Sequence, residues 1–216
     1  IDLSFTINNG NWNPIGWYQN TAQLSGNVSN SFKGIFDGDG HTISDLKIVN
    51  ISKNLQNVGL FGVLDGAVVK NLAIEDARVY GYNHVGILAG QIKGESVITD
   101  VTVEGTAAAN TSSGGYASDA AVGGLVGKIS GSNSGSRATI ENVTATVNTV
   151  NLGAISKTGG IAGEVSNAYI VDTSVSATGN NILGRYYVGG IVGAMSSGTS
   201  IYNVSVDGTI GGNGAY

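Results

Sequence analysis

The chain has no cysteine, one proline and few charges, with 10 Lys and Arg and 15 Asp and Glu among 216 residues. Without thiols there is no disulfide framework, no thiolate metal site and no cysteine nucleophile, and nothing points to an oxidising or a reducing compartment. The two histidines, His41 and His84, could form a zinc site only by recruiting carboxylates from scattered positions, so no metal is expected there. A net charge of −5 with no basic run argues against nucleic acid and anionic lipid as partners. No apolar run approaches the roughly 18 residues of a membrane helix. Even Val58-Gly59-Leu60-Phe61-Gly62-Val63-Leu64 is cut by glycine, so no membrane insertion is expected. What is abundant is glycine, 35 residues, beside 41% hydrophobic residues, enough apolar surface to bury a core rather than remain disordered.

The chain repeats itself. The pattern apolar-x-[Asn/Asp]-[Leu/Val/Thr]-x-apolar begins at Ile43, Val69, Ile98, Ile140, Ile170 and Ile201, with spacings of 26, 29, 42, 30 and 31 residues. In phase with it runs a glycine motif, seen in Gly59-Leu60-Phe61-Gly62, Gly124-Leu125-Val126-Gly127, Gly160-Ile161-Ala162-Gly163 and Gly190-Ile191-Val192-Gly193. Between them lie short runs that alternate apolar with polar, and no stretch has apolar residues at helical spacing. A unit this small cannot bury its own apolar face, so the units must stack, each strand pairing with its equivalent about 4.8 Å away. The expected fold is all-β, a parallel β-solenoid of about six coils of roughly 30 residues. Asn71, Asp100, Asn142, Asp172 and Asn203 are expected at a left-handed corner, because Asn and Asp tolerate that conformation. Glycines are expected where a side chain would strike a neighbouring coil, and Val101 and Val103 are expected inside, with Thr102 and Glu104 outside.

The Val-Gly-Gly-Leu-Val-Gly and Val-Gly-Gly-Ile-Val-Gly strings at 122–127 and 188–193, with Phe36-Asp37-Gly38-Asp39-Gly40-His41 and the Thr-Ile-Ser-Asp-Leu that follows, resemble the GLUG motif of bacterial surface proteins. The resemblance covers residues 32–210. It implies a right-handed parallel β-helix similar to pectate lyase, an extracellular or bacterial cell-surface location, and an adhesin. It implies no catalytic set, because the shared residues are corner and core residues. Residues 1–31 fall outside the repeat and read as an N-terminal cap segment closed by Trp12 and Trp17, and 32–216 as the repeats. A start at Ile1 without Met or leader reads as an excised segment, and the chain is expected to continue past Tyr216. Ala107 to Ala121 and Gly131 to Arg137 read as added loops.

Tyr80, Tyr82, Tyr116, Tyr186 and Tyr187, with His84 beside them, fall before Val-Gly corners and are the candidate binding residues. Tyrosine beside Asn and Ser suits a host or matrix glycan or protein, and the same rings could instead pack over the coil edges. The alternative is a polysaccharide-active enzyme, a lyase or glycosidase. Aligned coils put Val49, Glu75, Glu104, Thr146, Ser176 and Asp207 in one outward column, where Glu75 and Glu104 would be adjacent carboxylates about 5 Å apart. Arg78, Arg137 and Arg185 read as lying in connecting segments away from that column. No cofactor is expected. Asp37-Gly38-Asp39-Gly40-His41 hints at calcium, but the remaining ligands of a calcium loop are missing and a tight turn with a packed or capping His41 suits it better. The five Asn-x-Ser/Thr sequons, at Asn27, Asn50, Asn110, Asn142 and Asn203, do not indicate a eukaryotic secreted protein, since the last two follow from the repeat. Ice binding would require regular threonine ranks, and the column through Lys47, Ala73, Thr102, Thr144, Ser174 and Ser205 reads as mixed.

Overall fold

The computed structural model describes residues 1–3, 12–16, 30–49, 56–109, 120–133, 135–151 and 156–212. Its regular structure is entirely strand, and every ladder between named strands is parallel. Sheet A runs β1 (Ile35–Ser44), β5 (Val68–Gly81), β8 (Val97–Ala109), β11 (Ala138–Asn151), β14 (Ala168–Gly184) and β17 (Ser200–Asp207), with β2 (Lys47–Val49) on β5 and β18 (Ile210–Gly212) on β14. Sheet B runs β4 (Phe61–Asp65), β7 (Ala89–Lys93), β10 (Val126–Ser130), β13 (Ala162–Ser166) and β16 (Val192–Met195). Sheet C runs β3 (Asn57–Val58), β6 (His84–Val85), β9 (Ala120–Gly123), β12 (Ser156–Gly159) and β15 (Tyr187–Gly189). Each of the first five repeats contributes to all three sheets and the sixth to sheet A, so apolar residues form columns that run through the stack.

One such column, Val69–Ile98–Ile140–Ile170, is entirely buried. Along β8, Val101 and Val103 are buried while Thr102 and Glu104 are exposed, as their alternation requires. Burying each Val or Ile in this way contributes on the order of 2 kcal/mol. Between Ile98 and Val101 the side-chain parity must shift, and Asp100 does this at φ 56°. Asn71, Asn142, Asp172 and Asn203 share that left-handed conformation, with φ between 49° and 52°. The rank alternates amide and acid, Asn71, Asp100, Asn142, Asp172, Asn203, and Asp37, the register partner of Lys70, adds an acid before it. Each Asn donates from Nδ2 to the Asp preceding it: Asn71 to Asp37 at 2.9 Å, Asn142 to Asp100, and Asn203 to Asp172. Alternation keeps like charges two strands apart where direct opposition would be destabilising.

The first repeat departs from the sequence alignment. Val69 pairs with Phe36, not Ile43, because Gly38–Gly40 forms a bulge in β1 between Asp37 and His41. Ile43 belongs opposite Ile74, and Asp45 (φ 57°) stands at a second corner with Asp76 (φ 53°). The bulge sets three residues of β1 against Asn71 alone, two extra, and the motif at Ile43 matches the second corner rather than the first.

The glycine motif acts by close approach. A Cβ on Gly90, Gly127, Gly163 or Gly193 would lie 2.3–2.5 Å from the backbone nitrogen of Val58, Val85, Val122 or Thr158 respectively, each in the sheet C strand one coil back. Sheets B and C therefore meet backbone to backbone. On the other side of sheet C, Val58 and Val85 face Gly81, and Thr158 and Val188 face Gly184, at the ends of long sheet A strands.

At the N-terminal end, Leu3 N–H donates to Ser44 O (3.0 Å), Trp12 N–H to Lys47 O (2.7 Å) and Phe32 N–H to Val63 O (2.9 Å). Trp12 packs on the core and donates from Nε1 to Leu60 O at 3.0 Å. Trp17 lies outside the described residues. At the C-terminal end, Val206 and Ile210 are 39% and 45% exposed although they continue the buried columns. Ala107–Ala109 and Ala120–Ala121 are strand residues and buried, so the added loop is narrower than the sequence implies; residues 110–119 lie outside the described set.

Candidate functional site

The candidate tyrosines reach one edge of the stack but do not converge on one site. Tyr82 and Asn83 form the turn from β5 into β6, and Arg185 and Tyr186 form the equivalent turn from β14 into β15. Asn57, His84, Ala121, Lys157 and Tyr187 make one column across sheet C. His84 and Tyr187 are three ranks apart on it, about 14 Å at parallel-strand spacing. Tyr80 is not in a connection: it lies in β5, half-buried between Val49 and Ala108. Tyr116 lies outside the described residues. Tyr186 and Tyr187 are 60% and 54% exposed. Their turn is held from below by buried Ser156, whose Oγ accepts from Arg185 N–H (2.8 Å) and Tyr186 N–H (3.2 Å). The Arg185 guanidinium lies 5.7 Å from the Tyr186 ring centroid. His84 is half-buried, with Nδ1 2.9 Å from Asn57 Oδ1, where its N–H donates to the amide oxygen.

Beside Tyr187 is a charge cluster that the sequence reading missed. Glu164 Oε2 receives Lys157 Nζ at 2.7 Å and Lys128 Nζ at 3.2 Å, and all three side chains are three-quarters buried or more. Lys128 and Glu164 are direct partners in sheet B, whereas Lys157 reaches across from sheet C. The first pairing could have been read from the repeat register; the second needed the sheet contact.

The acidic column is also revised. Its first member is Ser44, not Val49, and its order is Ser44, Glu75, Glu104, Thr146, Ser176, Asp207. The register breaks between Ile74 and Ala77, so Glu75 and Asp76 together oppose Glu104. Glu75 and Glu104 are both exposed. Arg78 is not in a connecting segment: it sits in β5 between Lys47 and Thr106 on the face beyond the bulge. Among the described residues no ion pair joins Arg78 or Lys47 to either glutamate. The hydroxyl column likewise begins with Thr42 in place of Lys47.

The Asp37-to-His41 segment is a closed turn. Asp37 Oδ1 accepts from Asp39 N–H at 3.0 Å, and His41 Nδ1–H donates to Gly38 O at 3.0 Å. The Asn71 amide, then the Asp39 N–H and the Lys70 ammonium 3.0 Å away, lower the Asp37 carboxyl to about 2. Among the described residues no group of three or more His, Asp or Glu is placed to hold a metal ion.

The family described as the GLUG motif matches residues 118–151. Halomucin of Haloquadratum walsbyi is 40% identical over 116 residues, covering 53% of this chain and 1% of that protein. Immunoglobulin A1 protease of Streptococcus sanguinis is 29% identical over 202 residues, covering 88% of this chain and 10% of that protein. The Streptococcus pneumoniae immunoglobulin A1 protease is 26% identical over 216 residues. The chain thus spans a tenth or less of the length of the curated relatives it matches. A crystal structure of a candidate immunoglobulin A1 protease from Bacteroides ovatus superposes with TM-score 0.62 at 20% identity, over 97% of this chain and 57% of that one, a likeness of fold alone. The chain carries the GLUG motif, matched over residues 118–151, within a stack of three parallel sheets.

Proposed function

We propose that the chain is a non-enzymatic segment of a secreted or cell-surface protein, an adhesin type of β-helical rod that displays turns for binding a host or matrix glycan or protein, or spaces other parts of its parent. In this reading the rod is right-handed, with about six coils of roughly 30 residues, and residues 1–31 cap it through the hydrogen bonds of Leu3, Trp12 and Ile15. The observation that carries the reading is the Arg185–Tyr187 turn: two tyrosines more than half exposed, on a turn pinned by Ser156, above a rigid parallel ladder. Exposed aromatic rings held by the scaffold lose little entropy on binding. The similarity to halomucin and to the immunoglobulin A1 proteases supports the location. The test is a glycan-array and matrix-protein screen of the chain against Tyr82→Ala, Tyr186→Ala and Tyr187→Ala. Saturable binding lost in the variants supports display at the turns; a blank screen with a folded chain leaves the spacer.

Glu75 and Glu104, with Arg78 and Lys47 on neighbouring outward positions, favour a second reading as a polysaccharide-active enzyme. Release of reducing ends or of unsaturated uronates, abolished by Glu75→Gln, would establish it. Their exposure on the outer face argues against it, since electrostatic catalysis gains most where water is excluded.

A further inference from the structure

The outer face of sheet A carries an aromatic pair on neither the turns nor the acidic column. Tyr169 in β14 and Tyr202 in β17 both point away from the core, since Ile170 and Ile201 between their neighbours continue the inward column. Tyr202 directly opposes Val171, and Tyr169 stands two residues before Val171 on the same face, so the three form a compact triangle. Val171 is an outward apolar residue, yet only 6% exposed, whereas Tyr169 and Tyr202 keep 37% and 55%. Val171 is covered by the side chains around it, and the two exposed tyrosines flank it on the same face. The Arg137 guanidinium, 4.7 Å from the Tyr169 ring centroid, holds that ring from the preceding coil. Glu141 is the partner of Val171 on the other side and is exposed.

We propose that Tyr169, Val171 and Tyr202 form a stacking platform for a neutral pyranose chain, with Arg137 and Glu141 at its border as donor and acceptor for sugar hydroxyls. An aromatic floor bordered by a few polar groups is the arrangement that sugars, with one apolar face and a hydroxyl rim, complement. Charge selects the neutral class. Glu141 and Asp172 beside the platform outnumber Arg137, and the chain carries −5 overall, so uronates, sulfated chains and other polyanions are repelled. The platform goes beyond the proposed display by the Arg185–Tyr187 turn and involves none of its residues.

Electrophoresis of the whole chain through native gels containing mixed-linkage β-glucan, galactomannan or dextran, and separately heparin or alginate, tests this. Retardation is expected in at least one neutral gel and in neither acidic one. Tyr202→Ala is expected to weaken it about tenfold, the loss of one stacked ring, while Tyr202→Phe retains it. Tyr186→Ala and Tyr187→Ala should leave it unchanged, so failure at the turn and failure at the platform are separable. Tyr202 is exposed on an edge strand, so a thermal melt of Tyr202→Ala should match that of the parent. No retardation in any neutral gel, retardation only by the polyanions, capture by gelatin instead of polysaccharide, or undiminished binding by a Tyr169→Ala, Tyr202→Ala double variant would each overturn the proposal.

Discussion

Replacing Gly163 by alanine tests the contact between sheets B and C. The added Cβ would lie 2.5 Å from Val122 N, 2.7 Å from Lys157 O and 2.8 Å from Ala121 C, all backbone atoms of β9 and β12. No side chain can swing away to relieve these contacts. The strand must lift, at about 1–3 kcal/mol for overpacking, and one or two ladder hydrogen bonds at about 1 kcal/mol each weaken with it. We expect a loss of about 3–4 kcal/mol, which for a chain of this size lowers Tm by roughly 10 °C. Urea unfolding followed by circular dichroism should show a lower midpoint. Gly66→Ala is the control: nothing lies within 4 Å of its Cβ, but φ is +64°, so its cost is the left-handed strain alone, about 1–2 kcal/mol. Gly66→Asn should recover most of that, since Asn167 occupies the same rank three coils on at φ 49°. A Gly163→Ala chain within about 1 kcal/mol of the parent would refute the backbone contact between the sheets, because relief without cost requires space.

Other consequences follow from single ranks. Thr149 and Thr158 are fully buried, and their hydroxyls have no hydrogen-bond partner in the protein, while the ranks through them otherwise hold Ile, Val and Ala. Thr158→Val and Thr149→Val should each stabilise the fold by about 1 kcal/mol in urea titrations, since an unmade bond is removed with its hydroxyl. Asn142→Asp would set three carboxylates in succession, with Asp100 and Asp172 on either side. The cost should be about 1 kcal/mol per neighbour at low salt, and a melting series should show it shrinking with added salt. Asp37, lowered to about 2 chiefly by the Asn71 hydrogen bond, stabilises the fold fully above its ordinary value near pH 4 and loses that contribution as pH falls through about 2. Asn71→Ala should raise the carboxyl midpoint in an NMR titration and move the acid loss to higher pH.

The spacing of the motifs was enough to reveal strands, stacking and inward faces, because a repeated unit has one way to bury its apolar residues, against its own copies. The left-handed corner at Asn71, Asp100, Asn142, Asp172 and Asn203 was equally legible, since few side chains tolerate that conformation. Legibility ended where the physical cause lay between strands distant in the chain. The bulge at Gly38–Gly40 changed the register of the first repeat, and with it the places of Val49 and Lys47, because pairing depends on hydrogen bonds to a strand about 30 residues away. The glycine motif already announced a close approach between coils, but only the structure shows that the approach is of sheet B to the preceding strand of sheet C. Tyr169, Val171 and Tyr202 look like three unrelated repeat positions until β14 and β17 lie side by side. The sequence alone determined what repeats and which side faces inward; the tertiary structure alone decided which outward residues become neighbours, because that is fixed by register across the ladder.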